Sequence, residues 1–217
     1  MPATCEVYGG QGSRPRDEQA ARVKVALWGE DRAHLPPSSR EEMRVLSTEF
    51  IQVVPGSRDR EGRQVILVDA GKFDKTIDKA ERVRAAWCVL LAALEDVETQ
   101  RKGICFLMCL KDAKLKQFDI KFDHMMAASI QGALPIRVGS VNVSFPPPVF
   151  RFVWAVVKQF VKKKVQDRVY VIPGSSTLER LQERIAVDDI PEPMGPKRLD
   201  FADWLAQRVE TEAAAAG

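Results

Sequence analysis

Histidine is nearly absent from this chain, and cysteine is scarce. The two histidines, His34 and His124, are isolated from one another, and the four cysteines, Cys5, Cys88, Cys105 and Cys109, form neither a disulfide framework nor a zinc-binding spacing. Cys105 and Cys109 lie in "CFLMCL", where even spacing in a strand puts both on one face. With no histidine nearby they read as buried apolar residues rather than metal ligands, and a reducing, cytosolic setting is expected. Also missing are a P-loop, a G-x-G-x-x-G turn and a G-x-S-x-G elbow. "PGSST", after the last apolar run, can offer backbone N–H groups to an anion but reads as a capped helix start. His124 stands beside Asp123 in "FDHMM" and reads as a solvated or core-edge residue rather than a general base. No reacting constellation remains, so no catalytic residue, metal or cofactor is expected.

Nor is there an apolar run long enough for a bilayer, which takes about 20 residues. The longest candidate, residues 149–161, is interrupted by Arg151 and Lys158. The N-terminus, "MPATCEVYGGQGSRPRDEQ", lacks the apolar core of a signal peptide. A net charge of +3 is too mild to imply nucleic acid as a partner. The charge is unevenly placed, however: Arg137, Arg151, Lys158, Lys162, Lys163, Lys164 and Arg168 face only Asp167 across residues 137–168.

With 217 residues, the chain has room for one ordinary domain and some extra. Residues 1–16, rich in Gly, Ser, Pro and Arg, read as disordered. "DEQAARVKVALWGEDR" has helical spacing, and "PPSSREEMRVLSTEF" starts a second helix with Ser38 or Ser39 as its cap. "PGSRDREGR" reads as a turn and "RQVILVDAG" as a strand buried on both faces. A long helix follows over "TIDKAERVRAAWCVLLAALEDVETQRKG", ended by Gly103. "GICFLMCLKD" is a buried strand, and "DIKFDHMMAASIQGALP" a helix stopped by Gly132 and Pro135. "RVGSVNVSF" is a strand that alternates imperfectly, followed by an apolar helix at 148–161 and the strand "RVYVIPG". Two amphipathic helices close the chain, "SSTLERLQERIAVDDIP" and "LDFADWLAQRVETEAAAA". Strands alternating with helices predict an α/β domain with a mostly parallel sheet.

In such a fold a helix that is apolar nearly all round must be covered on both sides. A sheet can cover one side of residues 148–161. The other needs a second protein layer, a ligand or a membrane.

"GALPIRVGSVNVSFPPPVFRFVWAVVKQFVKKKVQDRVYVIPG", in the second half of the chain, resembles the CRAL-TRIO lipid-binding domain family. "PIR" matches its Pro-x-[Arg/Lys] approach to a strand, and Pro147 with Phe150 its Pro and Phe ahead of an apolar helix. "KQFVKKK" matches a KPF-x-x-x-K stretch, and "DRVYV" a strand opened by a basic residue. "GRQVILVDAGKFD" is similar to the family's GRPV strand with its GK[FW]D end, and "IPEPMGP" to its closing LPxxxGG, with Pro196 in place of the second glycine. "ALWGEDR" is similar to the Trp-Arg end of the family's helical N-terminal segment, whose RFLRAR stretch is missing, so that segment reads as truncated. The organisation expected is a disordered 1–16, a truncated helical segment at 17–48, the lipid-binding domain at 49–197, and a C-terminal helix and tail at 198–217.

The resemblance implies a five-stranded sheet flooring a hydrophobic cavity closed by a gate helix. The expected lining is Phe106 and Met108 from one strand, Phe122, Met126 and Ile130 from the helix before Pro135, and Val141 and Val143 from the next strand. Phe150, Val153, Trp154 and Val157 are expected from the gate. Strand parity leaves an alternative open, since a one-residue slip exchanges faces. Arg137, Lys164 and Arg168 fall on headgroup- or phosphate-reading positions, while Ile136 replaces the glutamate of inositide binders. Lys162, Lys163 and Lys164 are expected to dock on anionic membrane, with Phe150, Phe152, Trp154 or Phe160 entering the interface. The function implied is exchange of one lipid ligand at a transiently contacted anionic membrane by a cytoplasmic, peripherally associated, non-enzymatic protein. The alternative is a membrane-recruitment or interaction module with an occluded pocket.

Overall fold

The structure, a computed structural model, describes the backbone of residues 40–216 and the side chains of residues 42–211. The disordered reading of 1–16, the helix at 17–32, the Ser38/Ser39 cap, Cys5 and His34 lie outside the described residues.

Helix α1 (Arg40–Leu46) leads into β1 (Ile51–Arg58) and β2 (Gln64–Asp69), then α2 (Lys79–Ala93), α3 (Val97–Lys102) and β3 (Ile104–Cys109). Helix α4 (Ile120–Ala128) precedes β4 (Val138–Ser144), and α5 (Phe150–Val157) and α6 (Lys163–Gln166) precede β5 (Val169–Ile172). Helices α7 (Thr177–Gln182) and α8 (Phe201–Ala216) complete the described chain. The five strands lie in sequence order. β1 is antiparallel to β2, and β2 through β5 are parallel, as the buried apolar runs and intervening helices predict.

β1 departs from the sequence reading, which left 51–54 unassigned and called 55–63 a turn. The strand runs through Pro55 and Gly56, with a register shift between Val53 and Arg58. Because β1 is an edge strand, a residue without an N–H is tolerated, and Gly56 absorbs the irregularity at φ 69°. The turn itself is shorter. The Asp59 carboxylate accepts from the backbone N–H groups of Glu61 and Arg63 at 3.0 and 2.9 Å and pairs with the buried Arg63 guanidinium.

Several expected helices are also shorter; the one expected over 175–191 is α-helical only over Thr177–Gln182. The long helix breaks at Leu94, and Asp96 caps α3, accepting from Thr99 N at 2.8 Å. Aspartate competes for backbone N–H groups better at a cap than in a helix interior. The helix before Pro135 is α-helical only to Ala128 and then widens into a π-turn, Ser129–Ala133, closed by Leu134 N to Ser129 O at 2.8 Å. The apolar helix expected at 148–161 is helical over Phe150–Val157, and Lys162 caps a separate helix, α6.

The sheet carries different cores on its two faces. On one, Val65, Leu67, Cys105, Leu107, Cys109 and Ile172 pack against Leu181, Ile185, Ile190 and Met194. Cys105 and Cys109 share this face, as their spacing predicts. Burial pushes the Cys105 thiol up to about 11 and also raises Cys109. On the other face, Ile66, Ile104 and Phe106 meet Val83, Trp87 and Leu90 of α2 and Phe122 of α4. That packing is solid under α2 and gives way toward β4 and β5.

Candidate functional site: an apolar hollow beside a basic cleft

The hollow lies between the β2–β5 part of the sheet, α4 and α5. It has two lobes, of about 200 Å³ and about 150 Å³, which share Val68, Met108, Phe122, Val141, Trp154, Val157 and Val169 in their walls. Phe106, Met126 and Ile130 line the larger lobe, and Val143, Phe150 and Val153 the smaller. The structure therefore gathers all eleven residues that sequence reasoning grouped together, and places Phe106 and Met108 rather than Cys105 and Leu107 on this face. Pairing of Phe106 with Val141 and Met108 with Val143 sets their alignment.

Several wall residues escaped the sequence reading. Val68 and Val169 line both lobes, and register carries them there, since Val68 pairs with Met108 and Val169 with Val141. Val161 and Val165, beyond α5, close one end of the larger lobe. Asp123 borders both lobes on the helix face of Met126 and Ala127. Burial, with the nearby Asp119 charge, raises its carboxyl to about 7. In the sequence it stood out only as a neighbour of His124, which is exposed and meets the edge of Phe160.

On α5, Phe150 is buried and stacks on Trp154, with ring centroids 6.5 Å apart. The expectation that either turns outward is corrected: Phe152 and Val156 do, at 76% and 43% exposure. Phe160 is half-buried.

A cleft of about 340 Å³ adjoins the larger lobe and shares Ile130, Gln131, Val138 and Val165 with it. Arg137, Lys162, Lys164 and Arg168 line it, and among the described residues no carboxylate does. The two arginines share the cleft because each immediately precedes one of the adjacent parallel strands β4 and β5. Gly103 permits the close approach there: it has φ 97°, and a Cβ would lie 2.3 Å from the Arg137 carbonyl oxygen. Arg168 donates to the Val138 carbonyl, and among the described residues no acid pairs with Arg137, Lys162, Lys164 or Arg168. Lys163 stands apart, paired with Asp167 across one turn of α6. The lysines thus lie at the start of the one-turn helix α6, with Lys162 at its N-cap. Gln131 joins hollow and cleft. Its side chain accepts from Lys162 N and donates to Phe160 O at 3.1 Å, and its carbonyl accepts from Lys162 Nζ at 2.9 Å.

Among the described residues no cluster of three or more His, Cys, Asp or Glu is placed to hold a metal ion.

The chain is 28% identical over 192 residues to "Alpha-tocopherol transfer protein-like" of Homo sapiens, an alignment covering 85% of this chain and 54% of that protein. The Mus musculus protein of the same name is 27% identical over the same length and shares. "Tyrosine-protein phosphatase non-receptor type 9" of Mus musculus is 25% identical over 166 residues, 75% of this chain and 27% of the phosphatase. The chain thus spans about half the length of the first of these relatives and a smaller part of the phosphatase. Its fold is similar to the crystal structure of Sfh5, with a TM-score of 0.58 at 10% identity over 87% of this chain and 76% of that one. The CRAL/TRIO domain profile matches residues 47–195, well over half of the sequence, and the chain belongs to that family.

Proposed function

We propose that the chain binds one hydrophobic ligand in the two-lobed hollow and exchanges it at an anionic membrane surface. The observation that carries this reading is adjacency: an apolar hollow and a carboxylate-free basic cleft share four wall residues. Apolar surface buried in such a hollow gains about as much as in a bilayer, so exchange is near neutral and the barrier is exposure of the ligand to water in between. Movement of α5 while it lies on the membrane lowers that barrier. Phe152 and Val156 already face outward there, flanked by Arg151 and Lys158. The cleft attracts phosphate, with Arg137 and Arg168 as forked donors and Lys162 and Lys164 as point charges. Ile136, which lines the cleft, leaves it without the glutamate that the family's inositide binders use, so phosphate rather than inositol is what the cleft reads. No helix among the described residues is long and apolar enough to cross a membrane, in keeping with peripheral contact. The role proposed is non-enzymatic.

A second reading has its own support. Each lobe alone is small against ligand pockets of roughly 300–1,000 Å³, and the two together reach only the low end of that range. The phosphatase relative also matches over only a quarter or so of its length, as a recruitment module within a larger protein would. Mass spectrometry of organic extracts of the purified protein separates the two. A stoichiometric lipid, lost in Val143→Trp, supports exchange. An empty extract from a protein that still binds anionic vesicles supports recruitment.

A further inference from the structure

We propose that Asp123 is the polar anchor of the hollow and selects a single-chain lipid bearing a hydroxyl, a proposal that rests on ligand binding in the two lobes. Among the described residues, Asp119 and Asp123 are the only titratable ones in the two lobes' walls, and Asp119 is committed elsewhere. It caps α4 and holds the Arg82 guanidinium at 2.8 Å. Arg82 also donates to Ile77 O at 3.1 Å and lies over the Phe73 ring, while Lys75 donates to Phe118 O at 2.6 Å. Lys75 and the Nε and Nη2 of Arg82 are therefore engaged, while Arg82 Nη1 has no hydrogen-bond partner among the described residues, and His124 on the same helix turns to Phe160. Strands β2–β5 and α5 add no charged group to either lobe. Among the described residues no hydrogen bond reaches the Asp123 carboxyl.

A carboxyl in an apolar wall with no protein partner costs free energy unless something meets it. With its pKa raised to about 7, it is largely protonated below that pH and about half protonated at neutrality. It can then donate one hydrogen bond and accept another, the complement of a hydroxyl. An ester or ether oxygen only accepts, and a hydrocarbon does neither. Asp123 borders both lobes, so a ligand threading from one to the other passes it mid-chain or with its end. The lobes' size suits one chain rather than two.

The test uses two probes with the same fluorescent polyene, octadecatetraenol and its methyl ether, titrated into the full chain. The wild type is expected to bind the alcohol about 3- to 10-fold more tightly than the ether, the value of one well-made neutral hydrogen bond. Asp123→Leu should remove the preference while still binding both, and Asp123→Asn, which keeps a donor and an acceptor, should retain most of it. Wild-type affinity for the alcohol should also weaken as pH rises above about 7, because filling the hollow further desolvates the ionised carboxylate, and Asp123→Asn should be flat. Circular dichroism and thermal melts establish that each variant is folded. Equal preference in wild type and Asp123→Leu overturns the anchor while leaving ligand binding intact. Failure of the wild type to bind either probe overturns both.

Discussion

Alternate residues of β3 meet opposite surroundings. Cys105, Leu107 and Cys109 pack solid against Leu181, Ile185, Ile190 and Met194, whereas Met108, one position from Leu107, borders a hollow. The neighbouring strand sharpens the contrast. On β4 the polar residues Ser140, Asn142 and Ser144 are the fully buried set, on the solid face, where Asn142 Nδ2 lies 3.4 Å from Phe106 O. Val141 and Val143 take the hollow face. The solid face thus buries polar side chains, with Asn142 Oδ1 and Ser144 Oγ left without a hydrogen-bond partner among the described residues, whereas the strands give the hollow only apolar side chains and its polar wall groups, Gln117, Asp119, Asp123 and Gln131, come from the helical side. The solid face specifies the fold, and the hollow face leaves space that the chain itself does not fill.

The largest test of that contrast is a pair of truncations. Leu107→Ala should cost about 2–5 kcal/mol, as for a core leucine whose cavity cannot collapse. Met108→Ala should cost clearly less, because its side chain already borders empty space. Denaturant midpoints at constant slope read the difference, and equal costs would break the comparison. Asp123 gives a second test. The folded chain holds its proton up to about pH 7, whereas the unfolded chain releases it above 3.8. The contribution of Asp123 to wild-type stability should therefore be greatest below that lower value and decline as pH rises to about 7, by up to a few kcal/mol, against the opposite trend of Asp96 and Asp119, whose pKa values are lowered. Asp123→Leu should lose this contribution, so its melting temperature should exceed that of the wild type by more at pH 8 than at pH 5. The reverse order would mean that the carboxyl is not desolvated.

Thiol labelling probes the same contrast kinetically. In a Cys5→Ser background, Val141→Cys should react with a small maleimide about 100-fold faster than Cys105, whose thiol is pushed up to about 11 and whose face is closed. Bound lipid should slow the first and leave the second unchanged. The smallest effect concerns the lysines. Changing Lys162 and Lys164 to glutamine should slow lipid transfer between anionic vesicles several-fold, at about 1 kcal/mol per charge near the surface, with little change on neutral vesicles. Lys163→Gln should do less, because Asp167 already neutralises it. The advantage of the unmutated lysines should shrink with salt. Equal loss on both vesicle types would make the run structural.

Much of the architecture was legible because buried parallel strands are written as unbroken apolar runs: "QVILVD", "ICFLMC" and "VYVI" each mark one. β1 was hidden by Pro55 and Gly56, which mark a turn everywhere except in an edge strand. The breaks at Asp96 and Ser129 were hidden for a different reason. Helical spacing continues across a cap or a π-turn, and only backbone hydrogen bonding reveals the interruption. The grouping around the hollow followed from period and motif order, but its asymmetric member did not. A charged residue inside an apolar stripe looks like noise until the walls on the other side are known. The basic cleft shows how far apart in sequence a site can lie. Arg137 and Arg168 become neighbours only once β4 and β5 are known to be adjacent and parallel.

Because the Ser129–Ala133 turn winds one residue wider than an α-helix, the amide of Gln131 sits where hollow and cleft meet. Its position is a matter of residue count as much as of residue type. Deleting one small residue from the turn would leave the chain's chemistry almost unchanged, yet rewind the segment and swing the amide by roughly 100° about the helix axis. The link from Gln131 to Phe160 and Lys162 would then be lost with Gln131 itself intact. This stretch should accept substitutions that keep its length more readily than any change of one residue in its length.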